Sequence, residues 1–213
     1  MIPVAGKQSN GLEPSEVRGI FTTPLYVVNT QRVLTLDESN YVHSLKKDTI
    51  LNVGANYNTK NSYVLNEKIL ENLKNVIMLY VKDYFTKVLS TTAQPYITQS
   101  WLNYQTQNQS HHMHDHPNSI VSGVYYIKTD ETDTVSFHKR IYETILLDKT
   151  SLNPYNANDV STSVRTGDLI MFPSSLLHSV NKKETINERI SLAFNVFVKG
   201  KIGIPEAMAE LVL

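Results

Sequence analysis

The sequence predicts a mainly β fold with flanking α-helices, and three observations carry that reading. After Pro95 the chain becomes a series of short segments rich in Val, Ile, Thr, Tyr and Phe, separated by turn sequences such as TDETD and NKKETIN. Many short strands with such turns describe a β-sandwich or barrel. The helix-period segments precede these strands and do not alternate with them, which argues against a parallel α/β sheet. The last long segment, ERISLAFNVFVK, alternates by side-chain type: Ile190, Leu192, Phe194, Val196 and Val198 share one face, and Arg189, Ser191, Ala193 and Asn195 share the other. Side chains alternate with period two along a strand, so one face is fit for a core and the other for the inside or mouth of a barrel.

The elements follow in order. The first 17 or so residues carry Gly, Pro and polar side chains and are expected to form an arm. GIFTTPLYVVNT (19–30) reads as a strand broken by Pro24. TLDE (35–38) has the form of a capping box, so a short helix carrying Tyr41, Val42 and Leu45 should follow. The strongest helical signal spans about 66–90, where Ile69, Leu73, Val76, Ile77, Tyr80, Val81, Tyr84, Phe85 and Val88 recur at three- and four-residue steps. Asn66 is its expected N-cap, and its broad apolar stripe should pack on a sheet. The strands then read ITQSWLNYQ, SHHMHDH, IVSGVYYIK, TVSFHK, DVSTSV, DLIMFPS, LLHSV and ERISLAFNVFVK. One domain is expected: residues 1–95 supply an N-terminal strand and supporting helices, 96–199 the β core, and 200–213 a tail that either caps the core or makes a homodimer contact.

Composition excludes several classes of function. The chain has 213 residues, 41% hydrophobic and 19% charged, an ordinary globular balance. Twenty basic and 20 acidic residues cancel, so no global field draws in nucleic acid or an anionic membrane surface. No apolar run has the length of a membrane span and no signal peptide is evident, so a cytoplasmic location is expected. There is no cysteine, so disulfides, thiolate metal sites and thiol nucleophiles are ruled out. Any metal must be held by nitrogen and oxygen.

The nitrogen ligands are concentrated. Of 7 histidines, four lie in HHMHDH at 111–116. Alone, such a run suits a solvated loop as well as a metal site. On a regular strand His112, His114 and His116 share one face, and His111, Met113 and Asp115 the other. Two imidazoles at i and i+2 can converge on one ion, and a third ligand from a distant strand closes a triangle on one side of it, as at non-heme iron. His178, in GDLIMFPSSLLHSV, is the distant candidate. Arg189 adds a further sign, since an arginine aimed into a barrel is costly without an anion to meet it.

Three ordered motifs then carry a resemblance. They are H-x-H-P-x-S-x-x-S-G-V-Y-Y (His114 to Tyr126), G-D-L-I-x-F-P-S-x-L-x-H-S-V (Gly167 to Val180) and E-R-I-S-x-A-F-N (Glu188 to Asn195). Together they resemble the 2-oxoglutarate/Fe(II)-dependent oxygenases of bacterial and phage type, within the superfamily that includes prolyl hydroxylases. The resemblance covers roughly 97–199, with a looser echo at Phe21, Pro24 and Tyr26. It implies a double-stranded β-helix, a jelly-roll or cupin-like barrel, and a small-molecule reaction in which Fe(II), 2-oxoglutarate and O2 hydroxylate a substrate with release of succinate and CO2.

The resemblance also implies roles. His114, His116 and His178 fall where the family keeps its iron ligands. Arg189, 11 residues after His178, falls where the superfamily binds the distal carboxylate of 2-oxoglutarate. Ser191 would add a second hydrogen bond, and Tyr104 is a further candidate for the same carboxylate. One departure stands out: the wider superfamily uses His-x-Asp/Glu, and this chain has His-x-His. Strand parity turns Asp115 away from His114 and His116, so His116 is the favoured ligand and Asp115, re-aimed by a β-bulge, the runner-up. A His112/His114 frame with His116 behind it is the remaining arrangement. Rival readings are a cupin-type metal protein, including three-histidine dioxygenases that do not use 2-oxoglutarate, and a non-catalytic binding module.

Overall fold

The structure is a computed structural model that describes residues 16–140, 145 and 147–213. The expected N-terminal arm lies almost wholly outside the described residues. In chain order the elements are β1 (Tyr26–Asn29), α1 (Leu36–Ser44), β2 (Thr49–Leu51), β3 (Tyr57–Thr59), α2 (Glu71–Lys87), β4 (Gln94–Gln105), β5 (His111–His114), β6 (Val121–Lys128) and β7 (Thr134–His138), then β8 (Asp159–Ser163), β9 (Asp168–Pro173), β10 (Leu177–Val180), β11 (Arg189–Lys199), β12 (Lys201–Ile202) and β13 (Leu211–Val212). They form a larger sheet in the order β1-β9-β6-β11-β4-β3-β2 and a smaller one in the order β5-β10-β7-β8, while β12 and β13 pair as a separate hairpin. Among the described residues no helix is long and apolar enough to cross a membrane.

The helices start where backbone chemistry allows. The capping box forms: the Glu38 N–H donates to the Thr35 hydroxyl at 3.3 Å, and the Thr35 N–H donates to the Glu38 carboxylate at 2.8 Å. The long helix departs from its expected start. It begins at Glu71, with Leu70 at the N-cap position, and residues 64–70 form two short 3-10 turns instead. This segment is tied to β4: the Ser100 N–H donates to the Ser62 carbonyl at 2.8 Å, and the Leu65 N–H donates to the Ser100 hydroxyl at 2.9 Å. Between the two turns Glu67 is extended, with φ −71° and ψ 132°, so no helix runs on from Asn66. Asn66 caps nothing; its side-chain carbonyl accepts from Lys74 at 2.8 Å. The strand expected over 19–30 is confined to Tyr26–Asn29.

The alternation read along β11 is realised on both faces. Ile190, Leu192, Phe194, Val196 and Val198 are buried with Leu73, Ile77, Val81, Tyr84 and Phe85 of α2 in the main core. Arg189, Ser191, Ala193 and Asn195 are also buried, on the opposite face. That face looks toward the smaller sheet, where Tyr126, Ile170 and Phe172 of the larger sheet meet Val135 and Phe137 in a second core. A cavity between the sheets is lined from both of them.

Gly123 fixes the approach of β6 to β11. It pairs with Phe194, and a Cβ at position 123 would lie 2.2 Å from the Phe194 ring. The glycine of SGVYY is therefore a packing requirement and not a turn. Gly123→Ala should destabilise the fold by about 1–3 kcal/mol through overpacking. Denaturant unfolding measures this, and adding Phe194→Leu to the same chain should recover part of the loss.

Candidate metal centre

Strand β5 is not regular, and this changes which histidines face inward. His114 pairs with His178 and His111 pairs with Val180, so three steps along β5 match two along β10. One extra residue in β5 is a β-bulge, which resets the alternation. His111 and His114 therefore both line the inter-sheet cavity, whereas His112 and Met113 are exposed. The expectation that His112 shares a face with His114 is corrected on this ground. The bulge re-aims His111, not Asp115.

His114, His116 and His178 come together: one ring nitrogen of each lies within 4.8 Å of the others. Their rings are inclined to one another, at 88° for His114 and His116, 50° for His114 and His178, and 42° for His116 and His178. Inclined rings can direct in-plane lone pairs at a common point. The Nδ1 atoms of His114 and His178 sit on backbone carbonyls, His112 O at 2.8 Å and Leu176 O at 3.0 Å. With Nδ1–H donating there, Nε2 is left as the neutral acceptor, the second-sphere arrangement usual for metal-binding imidazoles. Burial, reinforced by neighbouring imidazoles, lowers His178 to about 3 and His116 to about 4, and burial lowers His114 as well. The three rings are thus neutral at physiological pH, the form that binds metal.

A second trio, His111, His112 and His114, also brings its nitrogens within 4.8 Å. Its rings are poorly disposed, because His111 stacks on His114 at 4.4 Å and 19°. Lone pairs of face-stacked rings run side by side and do not converge. Asp115 is turned elsewhere, its carboxylate pairing with the Arg140 guanidinium.

The same cavity is lined by Arg189 and Ser191. Arg189 is 3% exposed. Its Nη1 donates to the Thr134 carbonyl at 2.8 Å, its guanidinium carbon lies 5.1 Å from the centre of the Tyr126 ring, and among the described residues no carboxylate pairs with it. Ser191 pairs with Tyr126 on one side and Asn103 on the other, so the three form a row facing the cavity. Among the described residues, the buried Tyr126 hydroxyl and Asn103 side-chain carbonyl meet no hydrogen-bond partner. Burial raises the Tyr126 pKa, so its phenol remains a donor.

Tyr104 departs from its expected place. It pairs with Ile190 on the apolar face of β11, and its hydroxyl donates to the Val42 carbonyl at 2.6 Å within the helix-side core. The tyrosine beside Arg189 is Tyr126, one of the two in the GVYY motif. Its neighbour Tyr125 belongs to the helix-side core. The motif serines also gain a role. Ser122 bonds to Ser174 at 2.9 Å and to Asn195 at 2.8 Å, Ser174 donates to Ser119 at 2.8 Å, and the His116 N–H donates to the Ser174 carbonyl at 3.0 Å. This buried chain fastens the turn that presents His116. Trp101 is half-buried on the cavity wall with its ring 5.5 Å from that of His116.

Comparison with known proteins gives a family match and structural neighbours. Residues 99–195 match the family model described as "Putative 2OG-Fe(II) oxygenase". No curated protein sequence matches the chain. An oxidoreductase of the 2OG-Fe(II) oxygenase family from Burkholderia pseudomallei is similar in structure, with TM-score 0.55, 14% identity, and 81% of this chain and 83% of that chain covered. HygX from Streptomyces hygroscopicus, solved with nickel, 2-oxoglutarate and hygromycin B bound, gives TM-score 0.54, 14% identity, and 82% and 83% coverage. A Pseudomonas putida prolyl-4-hydroxylase gives TM-score 0.55, 11% identity, and 84% and 95% coverage. At these identities the likeness is one of fold, the double-stranded β-helix.

The neutral histidines set a pH dependence. On unfolding they regain the ordinary value of 6.5 and take up protons below it. Their contribution to the stability of the metal-free fold is complete above about pH 6.5 and is lost as pH falls toward the folded values of about 4 and 3. The denaturant midpoint of metal-free protein should drop between pH 7 and pH 5, and His178→Asn should flatten that slope. An unchanged midpoint over this range contradicts the account.

Proposed function

We propose, from the match of residues 99–195 to the 2OG-Fe(II) oxygenase family model, that His114, His116 and His178 hold Fe(II) while Arg189, Ser191 and Tyr126 receive 2-oxoglutarate, for oxidation of a small-molecule substrate. The observation that carries this reading is Arg189. A guanidinium 3% exposed, with no carboxylate paired to it among the described residues, costs several kcal/mol unless an anion joins it. The planar fork of an arginine matches a carboxylate two by two, which lysine cannot do. Ser191 and Tyr126 add hydroxyl donors aimed at the same cavity.

The donor set fits a divalent transition metal. Three neutral nitrogens held from one side leave the opposite positions open to exchangeable ligands. Three imidazoles bring no negative charge, so the bound ion attracts an anionic keto acid more strongly than a site bearing a carboxylate would. When bound, Fe(II) and 2-oxoglutarate supply O2 activation, with 2-oxoglutarate converted to succinate and CO2. The protein supplies the rest: Arg189 fixes the far carboxylate, the His116 turn and β10 fix the ligand rings, and Phe172, Val135 and Ala193 keep the cavity wall apolar. Asp115 stays outside the ligand set, paired to Arg140 at the rim.

Protein loaded with Fe(II) should release succinate only when 2-oxoglutarate is present. Arg189→Ala should weaken 2-oxoglutarate binding by about 30-fold or more, the scale for removing one member of a buried charge pair, and leave metal affinity unchanged. Metal binding with no uptake or turnover of 2-oxoglutarate would favour a cupin-type three-histidine protein instead. Loss of metal in Arg189→Ala would show that Arg189 supports the metal end.

A further inference from the structure

One histidine of the run remains without a role. His111 is carried into the cavity by the β5 bulge and lies flat on His114, ring centres 4.4 Å apart and planes 19° apart. It is anchored from outside the family-matched region. The Asn52 side-chain amide meets His111 Nε2 at 2.8 Å, while the Asn52 side-chain carbonyl accepts from the Val53 N–H at 2.8 Å. Because the carbonyl is taken by an N–H, the amide nitrogen must face His111 and donate to it. His111 Nε2 is then an occupied acceptor, and its proton sits on Nδ1. Neither nitrogen has a lone pair free for a metal.

The turn that holds Asn52 grips the whole strand. His112 Nδ1 donates to the Val53 carbonyl at 2.9 Å, the Ser110 N–H donates to the Gly54 carbonyl at 2.9 Å, and Ala55 bridges to Ser110. Gly54 and Ala55 both take positive φ, 101° and 69°, to make this approach, and a Cβ on Gly54 would lie 2.7 Å from the Ser110 carbonyl. The β2–β3 turn is thus shaped to the backbone of the histidine strand. From this we infer that His111 is a positioning residue for the metal ligand His114, and that the turn at 52–56, through Asn52, holds His111 in place. The inference rests on the reading of His114 as a ligand. His111 closes one face of the His114 ring, and the His112 carbonyl fixes its edge, so the ring is held in rotation as well as in place.

The test uses Co(II), whose binding and visible spectrum are read on the full chain. Supporting interactions around metal ligands are worth roughly 10- to 100-fold in affinity. His111→Ala should therefore weaken Co(II) binding by about tenfold or more. His111→Phe, which keeps a flat ring on His114 and has no nitrogen, should restore most of the affinity with an unchanged spectrum. Asn52→Ala should weaken binding by a smaller factor without unfolding the protein, because Asn52 lies in a part-exposed turn. Equal affinity in His111→Ala and the parent overturns the inference and leaves the metal centre standing. A changed spectrum or no recovery in His111→Phe overturns it too, by making His111 a ligand. If the parent binds no Co(II), or His114→Ala binds it as well as the parent, the metal-centre reading fails and takes this inference with it.

Discussion

Strand β11 is hydrogen-bonded to β4 along its whole length and to β6 over most of it, and both of its faces are buried. That combination is the constraint on which the rest depends. A slip of one residue would turn Arg189 and Asn195 into the core under α2 and push Ile190 and Phe194 into the cavity. Each exchange would bury an unmatched polar group and uncover an apolar one. The register that builds the core therefore also aims Arg189, Ser191 and Ala193 at the space between the sheets. Core and site are two sides of one strand.

The histidine end is organised by a different principle. The proposed ligands come from a short strand, a turn and a distant strand, none of which fixes a side chain by regular pairing alone. Backbone carbonyls hold the rings of His114 and His178, the Ser119–Ser174–Ser122–Asn195 chain holds the turn at His116, and burial keeps all three rings neutral. The buried serines are fully engaged with each other and with main chain, so this polarity rigidifies the site without leaving unpaired groups. Asn195 belongs to that chain and lies on β11, so the strand that aims the arginine also steadies the turn that carries His116.

Much of this was legible in the sequence. Period-two alternation named both faces of β11, the TLDE box named the first helix, and the company of His178 and Arg189 set the histidine run apart from a polar loop. Other parts were hidden for identifiable reasons. A bulge is one extra residue with no composition of its own, so nothing in HHMHDH says that His111 turns in and His112 out. The strands β2 and β3 have three residues each and take their form from pairing, β3 with β4 and β2 with β3, which no local pattern records. Asn66 has the chemistry of a cap, but Glu67 after it is extended and the helix starts later. Tyr104 was assigned by resemblance, and its parity with Ile190 places it in the helix-side core, while Tyr126 takes the position beside Arg189.

The central claim is that one cavity holds a metal on three neutral histidines and an anion on a buried arginine. A crystal structure grown without oxygen, with Mn(II) in place of iron and with 2-oxoglutarate, tests it most directly. The account predicts one ion bound by nitrogens of His114, His116 and His178, with Asp115 still on Arg140 and the distal carboxylate of 2-oxoglutarate on Arg189, Ser191 and Tyr126. An ion bound by Asp115 or His111, or 2-oxoglutarate bound away from Arg189, would contradict it.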